Sequence, residues 1–377
     1  MDVTSGLRNF ALGRVAAEQA QAKPTASANA DSSKHGALVI VDNFLSSTSH
    51  GFTAESAGQS LGAPGPSYRM NHHQMVDGRV SMPHAKALKA LQTDFASPAL
   101  LPATASAQLD SFVTLAAAGN IGLATSHLAT LESQGFQNSV VNLSQGVDAI
   151  NLMDMIKMAT SPASKLADAQ KQQYQENLRS ALSNSSDTAP LSEKELDQRL
   201  LQRVNSQLHS DPEIQHAVAQ WRSGVQSFES GRNSVVVAAG NSGKAFQALN
   251  HQGFTLDGSE DSNLLAVPEV TTVGATTTSA QGELSLSHSS FGSEVDILAS
   301  GDHQGRFGTS YASPKVANAL RTAHLLNPEF SSEQAEAWVK ENLSISAEVQ
   351  DHPVAILSSE RTAYLINALE QRKGSEL

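Results

Sequence analysis

The chain has 377 residues, 37 acidic against 25 basic side chains, a formal net charge of −12, 40% hydrophobic residues and no cysteine. The missing thiols exclude a disulfide scaffold, a thiolate metal site and cysteine-nucleophile chemistry. The acidic balance argues against nucleic acid or an anionic membrane surface as the main partner, and no stretch approaches the roughly 18 consecutive apolar residues of a membrane span.

Residues 1–35 read as a mobile leader, rich in Ala and Gln and broken by Pro24, with one short helix expected over 8–21. A basic start followed by a long apolar core is missing, so the leader is not a secretory signal peptide. The expected location is cytoplasmic, or outside the cell by a leaderless route. Residues 37–41 (ALVIV) form a continuous apolar run rich in β-branched side chains, the pattern of a strand buried on both faces of a parallel sheet. Three more runs of this type follow at 139–143, 234–238 and 270–273, with a helical pattern over 109–134 between the first two. Strand alternating with helix over this length predicts an α/β fold with a mainly parallel central sheet and right-handed crossovers.

Residues 149–230 differ in composition, being rich in Gln, Ser, Glu and Lys. They carry helix-start signals: a capping box from Ser192 to Glu195, and Asp211-Pro212-Glu213, which puts proline where a helix begins. About three helices are expected here, with Leu178, Leu182, Leu196, Leu200, Val204 and Leu208 on one apolar face. The segment is read as a helical insertion within a main domain made of 36–148 and 231–377. A further helix opens at Ser331 with Gln334 three residues on.

Four short segments carry the chemistry. Asp42 closes the first apolar run, where α/β sheets place their sites. His50 precedes Gly51 and a run of small, helix-compatible residues, the pattern of an imidazole in a first helical turn. The strand at 234–238 ends in Ala238, Ala239, Gly240 and Asn241. Small residues there allow a close approach, and an Asn amide can donate to a developing oxyanion; a tight turn uses the same residue types. The fourth segment, GTSYASPKVANAL over 308–320, places Ser310 before Pro314. Proline belongs in a first helical turn, so Ser310 is expected at or just before a helix start, where free N–H groups favour negative charge. Read singly, these four segments also fit a ribose-binding, metal-binding or plain turn Asp, a surface His, a tight turn using Asn and Gly, and an N-cap Ser.

Taken together and in this order, the segments resemble the subtilases, the subtilisin-like serine peptidases. GTSYASPKVA at 308–317 resembles the family's serine motif, with Asn318 where a glycine is usual; AAGN at 238–241 its oxyanion motif; VVNLSQG at 140–146 its substrate strand; and VIVD at 39–42 its aspartate strand. Asp, then His, then Ser is also the subtilisin order. The resemblance implies a three-layer subtilisin-like fold and a serine endopeptidase with Asp42, His50 and Ser310 as triad. Asn241 and the Ser310 N–H would be the oxyanion donors. Ser144, Gln145 and Gly146 on one side, with Ala238, Ala239 and Gly240 on the other, would wall the pocket for the residue before the cut. The implied partner is a protein or peptide substrate; no cofactor and no obligatory metal are expected.

Two departures stand out. His50 follows Asp42 by only eight residues, a gap that still spans up to about 28 Å when extended; His72 and His73 lie nearer the usual spacing but lack a following Gly. The insertion falls between the substrate strand and the oxyanion strand, where it could shape the groove or bind a partner. A subtilase-fold binding protein with impaired catalysis and an exported effector are the alternative readings. Subtilases often hold structural calcium, but the one acidic turn, DGSED at 257–261, lacks the alternating carboxylates of a calcium loop and reads as solvated.

Overall fold

The computed structural model describes residues 34–42, 67–71, 74–76, 79–81, 83–97, 100–162, 164–183, 190–278, 284–286, 289–290, 295–303, 305–349 and 352–375. Residues 1–33 of the leader, with its expected short helix, lie outside the described residues, while His35 at its end forms a parallel bridge with Gln137.

The four apolar runs are strands: β1 (Leu38–Asp42), β5 (Val140–Leu143), β6 (Ser234–Ala238) and β7 (Thr271–Thr278). Three others precede β5: β2 (Ser67–Asn71), β3 (Gln74–Val76) and β4 (Arg79–Ser81). After β7 come β8 (Leu284–Leu286), β9 (Ile297–Ser300), β10 (Ser344–Val349) and β11 (His352–Leu357). The main sheet runs β10-β11-β9-β7-β6-β5-β1-β2, with β8 on β7 and the β3–β4 hairpin apart. From β2 to β9 and on to β11 the pairs along this order are parallel; only β10 and β8 run antiparallel to their neighbours.

Both faces of the sheet are covered, which is why its strands read as unbroken apolar runs. Val39 and Val41, Val141 and Leu143, and Val235 and Val237 face one core. Leu38 and Ile40, Val140, Val236, Val273 and Ala275 face the other. The first core is roofed by α1 (Pro83–Phe95), α2 (Pro102–Ser133), α3 (Ala149–Met158), α4 (Asp168–Leu182), α5 (Glu193–Ser210) and α6 (Pro212–Ser230). The second is closed by α8 (Thr309–Leu326), α9 (Ser332–Asn342) and α10 (Ser359–Ser375), while the short α7 (Gly243–His251) follows β6. This is a three-layer α/β fold with a mainly parallel sheet. By length and composition α2 could cross a membrane, but Leu109, Phe112, Val113, Ile121 and Leu128 are buried in the first core.

The described residues of 149–230 form four helices, one more than expected. The extra one is α3, whose polar neighbours mask a short apolar face of Ile150, Leu152, Met153 and Ile156. Tyr174, Leu200, Val204, Trp221 and Phe228 from the other three join the same core as α2 and the sheet. The capping boxes at Ser192 and Ser331 form, and Asp211 caps α6 ahead of Pro212.

Candidate active site

The chain runs outward from β1 to β2 and returns on the other side of β1 as β5. The carboxyl ends of β1 and β5 therefore flank a switch point, where open α/β sheets bind ligands. Asp42 is the last residue of β1, in register with Asn71. Ser144, Gln145 and Gly146 follow β5, and Ala239, Gly240 and Asn241 follow Ala238 at the end of β6. His50, His72 and His73 lie outside the described residues.

Ser310 is brought to this edge by α8. It is the second residue of the helix, and Pro314 stands in the second turn, not the first. The physical reason is a hydrogen bond that proline cannot make. Residue 314 would donate its N–H to the carbonyl of Ser310 in a regular helix, and proline has none. The freed carbonyl instead accepts from Ser144 Oγ at 3.3 Å, while Ser310 Oγ donates to the Ser144 carbonyl at 3.2 Å. Asn142, fully buried in β5, donates through Nδ2 to Ser144 Oγ at 2.8 Å and completes the chain. The nucleophile candidate and Ser144, expected in the first pocket wall, are thus tied together twice. The N–H of Ser310 is among the first four of α8, which have no intrahelical partner.

Asn241 is exposed, and its orientation is set by Thr309. Asn241 Oδ1 accepts from the Thr309 N–H at 2.9 Å and from Thr309 Oγ1 at 3.1 Å. With the oxygen committed to two donors, the amide has one favourable flip, and Nδ2 is the group left to face outward. Gly240 sits at φ +113°, and a Cβ there would lie 2.7 Å from Ser290 Oγ. That serine holds the turn, its N–H donating to the Gly240 carbonyl and its Oγ accepting from the Ser242 N–H. Gly240 is therefore required by both conformation and space.

Behind this turn lies Asp148, which caps α3 and is fully buried. Its Oδ1 accepts from the Asn151 N–H at 2.9 Å and from Ser242 Oγ at 2.8 Å. Burial pushes its pKa up to about 6 against the pull of these hydrogen bonds, and the nearby Asp261 adds to the rise. The acidic turn at 257–261 is not solvated as expected. Glu260 and Asp261 are buried, the Glu260 carboxylate accepting from the N–H groups of Asp257 and Gly258. The turn folds back on its own amides, and the carbonyl of Glu260 accepts from the Ile150 N–H in α3. Among the described residues no group of three or more His, Asp or Glu is placed to hold a metal.

Lys315, one residue past Pro314, is buried and donates to the carbonyls of Ser300 and Asp302 at 2.8 and 2.9 Å. Burial holds its pKa below the usual lysine value, with Asp302 opposing. It anchors the approach to Gly308. Sequence reasoning did not single out Thr309, Lys315, Asp148 or Asn142 as supports. Only Asn142 had a local signal, as the one amide in an apolar strand.

Comparison with known proteins gives one family. The model described as "Subtilase family" matches residues 205–363, a span that contains Asn241 and Ser310. No curated protein matches the chain. Among solved structures it is similar to a lanthipeptide protease, with 11% identity, 89% of each chain covered and a TM-score of 0.42. It is also similar to a cold adapted subtilisin-like serine proteinase, with 15% identity, 88% of this chain and 92% of that one covered, and a TM-score of 0.36. A third is the epidermin leader peptide processing serine protease of Staphylococcus aureus, with 14% identity, coverage of 89% and 76%, and a TM-score of 0.38.

Proposed function

We propose that this chain, whose residues 205–363 match the subtilase family model, is a subtilase and a serine endopeptidase acting through Asp42, His50 and Ser310. The observation that carries the reading is the meeting of two segments distant in sequence. Asn241, fixed by Thr309, stands at the N-terminus of the helix that presents Ser310. A hydroxyl nucleophile beside an oriented amide donor and free helix N–H groups is the minimum apparatus for acyl transfer.

In this mechanism Ser310 Oγ leaves its resting bond to the Ser144 carbonyl and attacks the scissile carbonyl. His50 takes the hydroxyl proton, and Asp42 holds the imidazole in its productive tautomer and stabilises its cation. Asn241 Nδ2 and the Ser310 N–H receive the oxyanion. His50 then protonates the leaving amine, and water resolves the acyl-enzyme. A peptide would lie extended along residues 144–146, adding a strand to that edge. The residue before the cut would sit between that segment and residues 238–240. The helices of 149–230 reach this groove through Asp148, which joins α3 to Ser242, so they are assigned a part in shaping it.

A fluorophosphonate probe tests the reading. Ser310 is expected to be labelled in wild type and unlabelled in His50→Ala, and casein or a peptide library to be cut by wild type but not by Ser310→Ala. Labelling undiminished in His50→Ala would remove His50 from the triad. Absence of both labelling and cleavage would leave a binding protein on a subtilase fold.

A further inference from the structure

Beyond Leu143 and Val237 the ladder between β5 and β6 ends. The two segments that follow are the proposed pocket walls, and a different group joins them. Asn263, on the loop before β7, is 3% exposed. Its Nδ2 donates to the Ala238 carbonyl at 2.8 Å and to the Gln145 carbonyl at 3.3 Å, one hydrogen for each wall. Its Oδ1 accepts from the Val147 N–H at 3.1 Å and from the Leu265 N–H at 3.0 Å. Two donors and two lone pairs are all that an Asn side chain has, and each is used.

We infer that Asn263 is a positioning residue that sets the spacing of the two pocket walls, and through it the selectivity for the residue before the cut. The inference rests on the peptidase reading above. Asn263 is too buried to touch substrate, so it acts only through residues 145–147 and 238. The fit is specific. Aspartate would face two carbonyl oxygens with an acceptor. Glutamine is one methylene too long, because a Cβ on Gly146 would already lie 2.9 Å from Asn263 Cγ and Nδ2. Gly146 has an ordinary φ, so its lack of a side chain answers to this contact and not to backbone strain.

The test is a cycle of Asn263→Ala, Gly146→Ala and the double variant. Each is assayed on peptides that differ only in the residue before the cut, and with a small fluorophosphonate that leaves the pocket empty. Asn263→Ala is expected to lower kcat/KM for the preferred peptide about tenfold or more, chiefly through KM, and to flatten the selectivity profile. Inactivation by the small probe should stay within about threefold of wild type, because the nucleophile is untouched. Gly146→Ala should do similar damage alone and markedly less in the Asn263→Ala background, where the clash is gone. An Asn263→Ala enzyme with an unaltered profile, equal losses on every peptide and the probe, or additive effects in the cycle would overturn the role while leaving the peptidase reading standing. Gly146→Ala tests the same contact if Asn263→Ala does not fold. A wild type that neither labels nor cleaves would overturn the peptidase reading and this role with it.

Discussion

The assignment of Asn241 as an oxyanion donor can be tested by changing one atom at a time. Its Oδ1 is held by two donors of Thr309, so Asn241→Asp keeps the anchoring oxygen and replaces only the outward Nδ2. Removing that donor, as Asn241→Ala also does, should lower kcat by about 10²–10³, the loss found when the corresponding donor of a subtilisin is removed. The aspartate adds a negative charge where the oxyanion forms. Two unit charges at 4 Å repel by about 1 kcal/mol in bulk water and about 4 kcal/mol near a protein surface. Asn241 is exposed, which sets the added penalty near the lower figure, a further loss of about fivefold. Thr309→Val removes one of two neutral hydrogen bonds to Oδ1, worth about 1 kcal/mol, and leaves the N–H in place, so kcat should fall about fivefold at most. The assay is steady-state hydrolysis of a peptide anilide, with KM expected to move little because the contact forms in the transition state. An Asn241→Asp enzyme as active as wild type, or one more active than Asn241→Ala, would refute the assignment.

Three other outcomes follow from the same geometry. Gly240→Ala should abolish most activity, because φ +113° and a Cβ 2.7 Å from Ser290 Oγ force the Asn241 turn to move; near-normal kcat would contradict this. Pro314→Ala restores an N–H that competes for the Ser310 carbonyl now held by Ser144, and kcat should drop up to about tenfold, the worth of one hydrogen bond, without a lower Tm; unchanged kcat would make the freed carbonyl irrelevant. In stability against pH, Asp148 and Glu229, raised to about 6 and about 7 chiefly by burial, favour the folded state while protonated, so their contribution falls as pH rises from about 4. His127 and His324, lowered by burial to about 4, oppose this, since they destabilise the fold as pH drops below about 6.5. The two pairs act in opposite senses, so the slope of the urea midpoint against pH between about 4 and 6.5 should become more positive in Asp148→Asn than in wild type, by on the order of 2–3 kcal/mol in stability over that window; an unchanged slope would show that Asp148 does not carry this proton.

What could be read from the sequence and what could not divide along one physical line. β1, β5 and β6 were legible because a strand covered on both faces must be apolar at every position, and that constraint is local. The caps at Ser192, Asp211 and Ser331 were legible because a helix start is solved within four residues. β10 and β11 were missed: they form an antiparallel edge hairpin with Pro353 opposite Glu348, and a half-exposed edge tolerates such residues. Glu260 and Asp261 were misread for a related reason. Their charge suggested water, but the turn supplies its own N–H donors to Glu260, and the Ile150 N–H at the start of α3 ties down the Glu260 carbonyl. The site divides in the same way. Ser310 and Asn241, the proposed nucleophile and oxyanion donor, stand in motifs. Thr309 and Asn142 stand in the same or a neighbouring motif, but their bonds to Asn241 and Ser144 are not visible in the pattern. Asp148 and Asn263 lie outside the motifs and act on Ser242 and Ala238, 94 and 25 residues away. Gly146 joins the two classes. Its place in the substrate strand resembled a family pattern, yet what it accommodates is the Asn263 side chain. A glycine with an ordinary φ inside a functional motif is therefore a pointer to the residue that fills its missing side chain, and that residue, being buried and saturated in hydrogen bonds, is the one a motif search passes over.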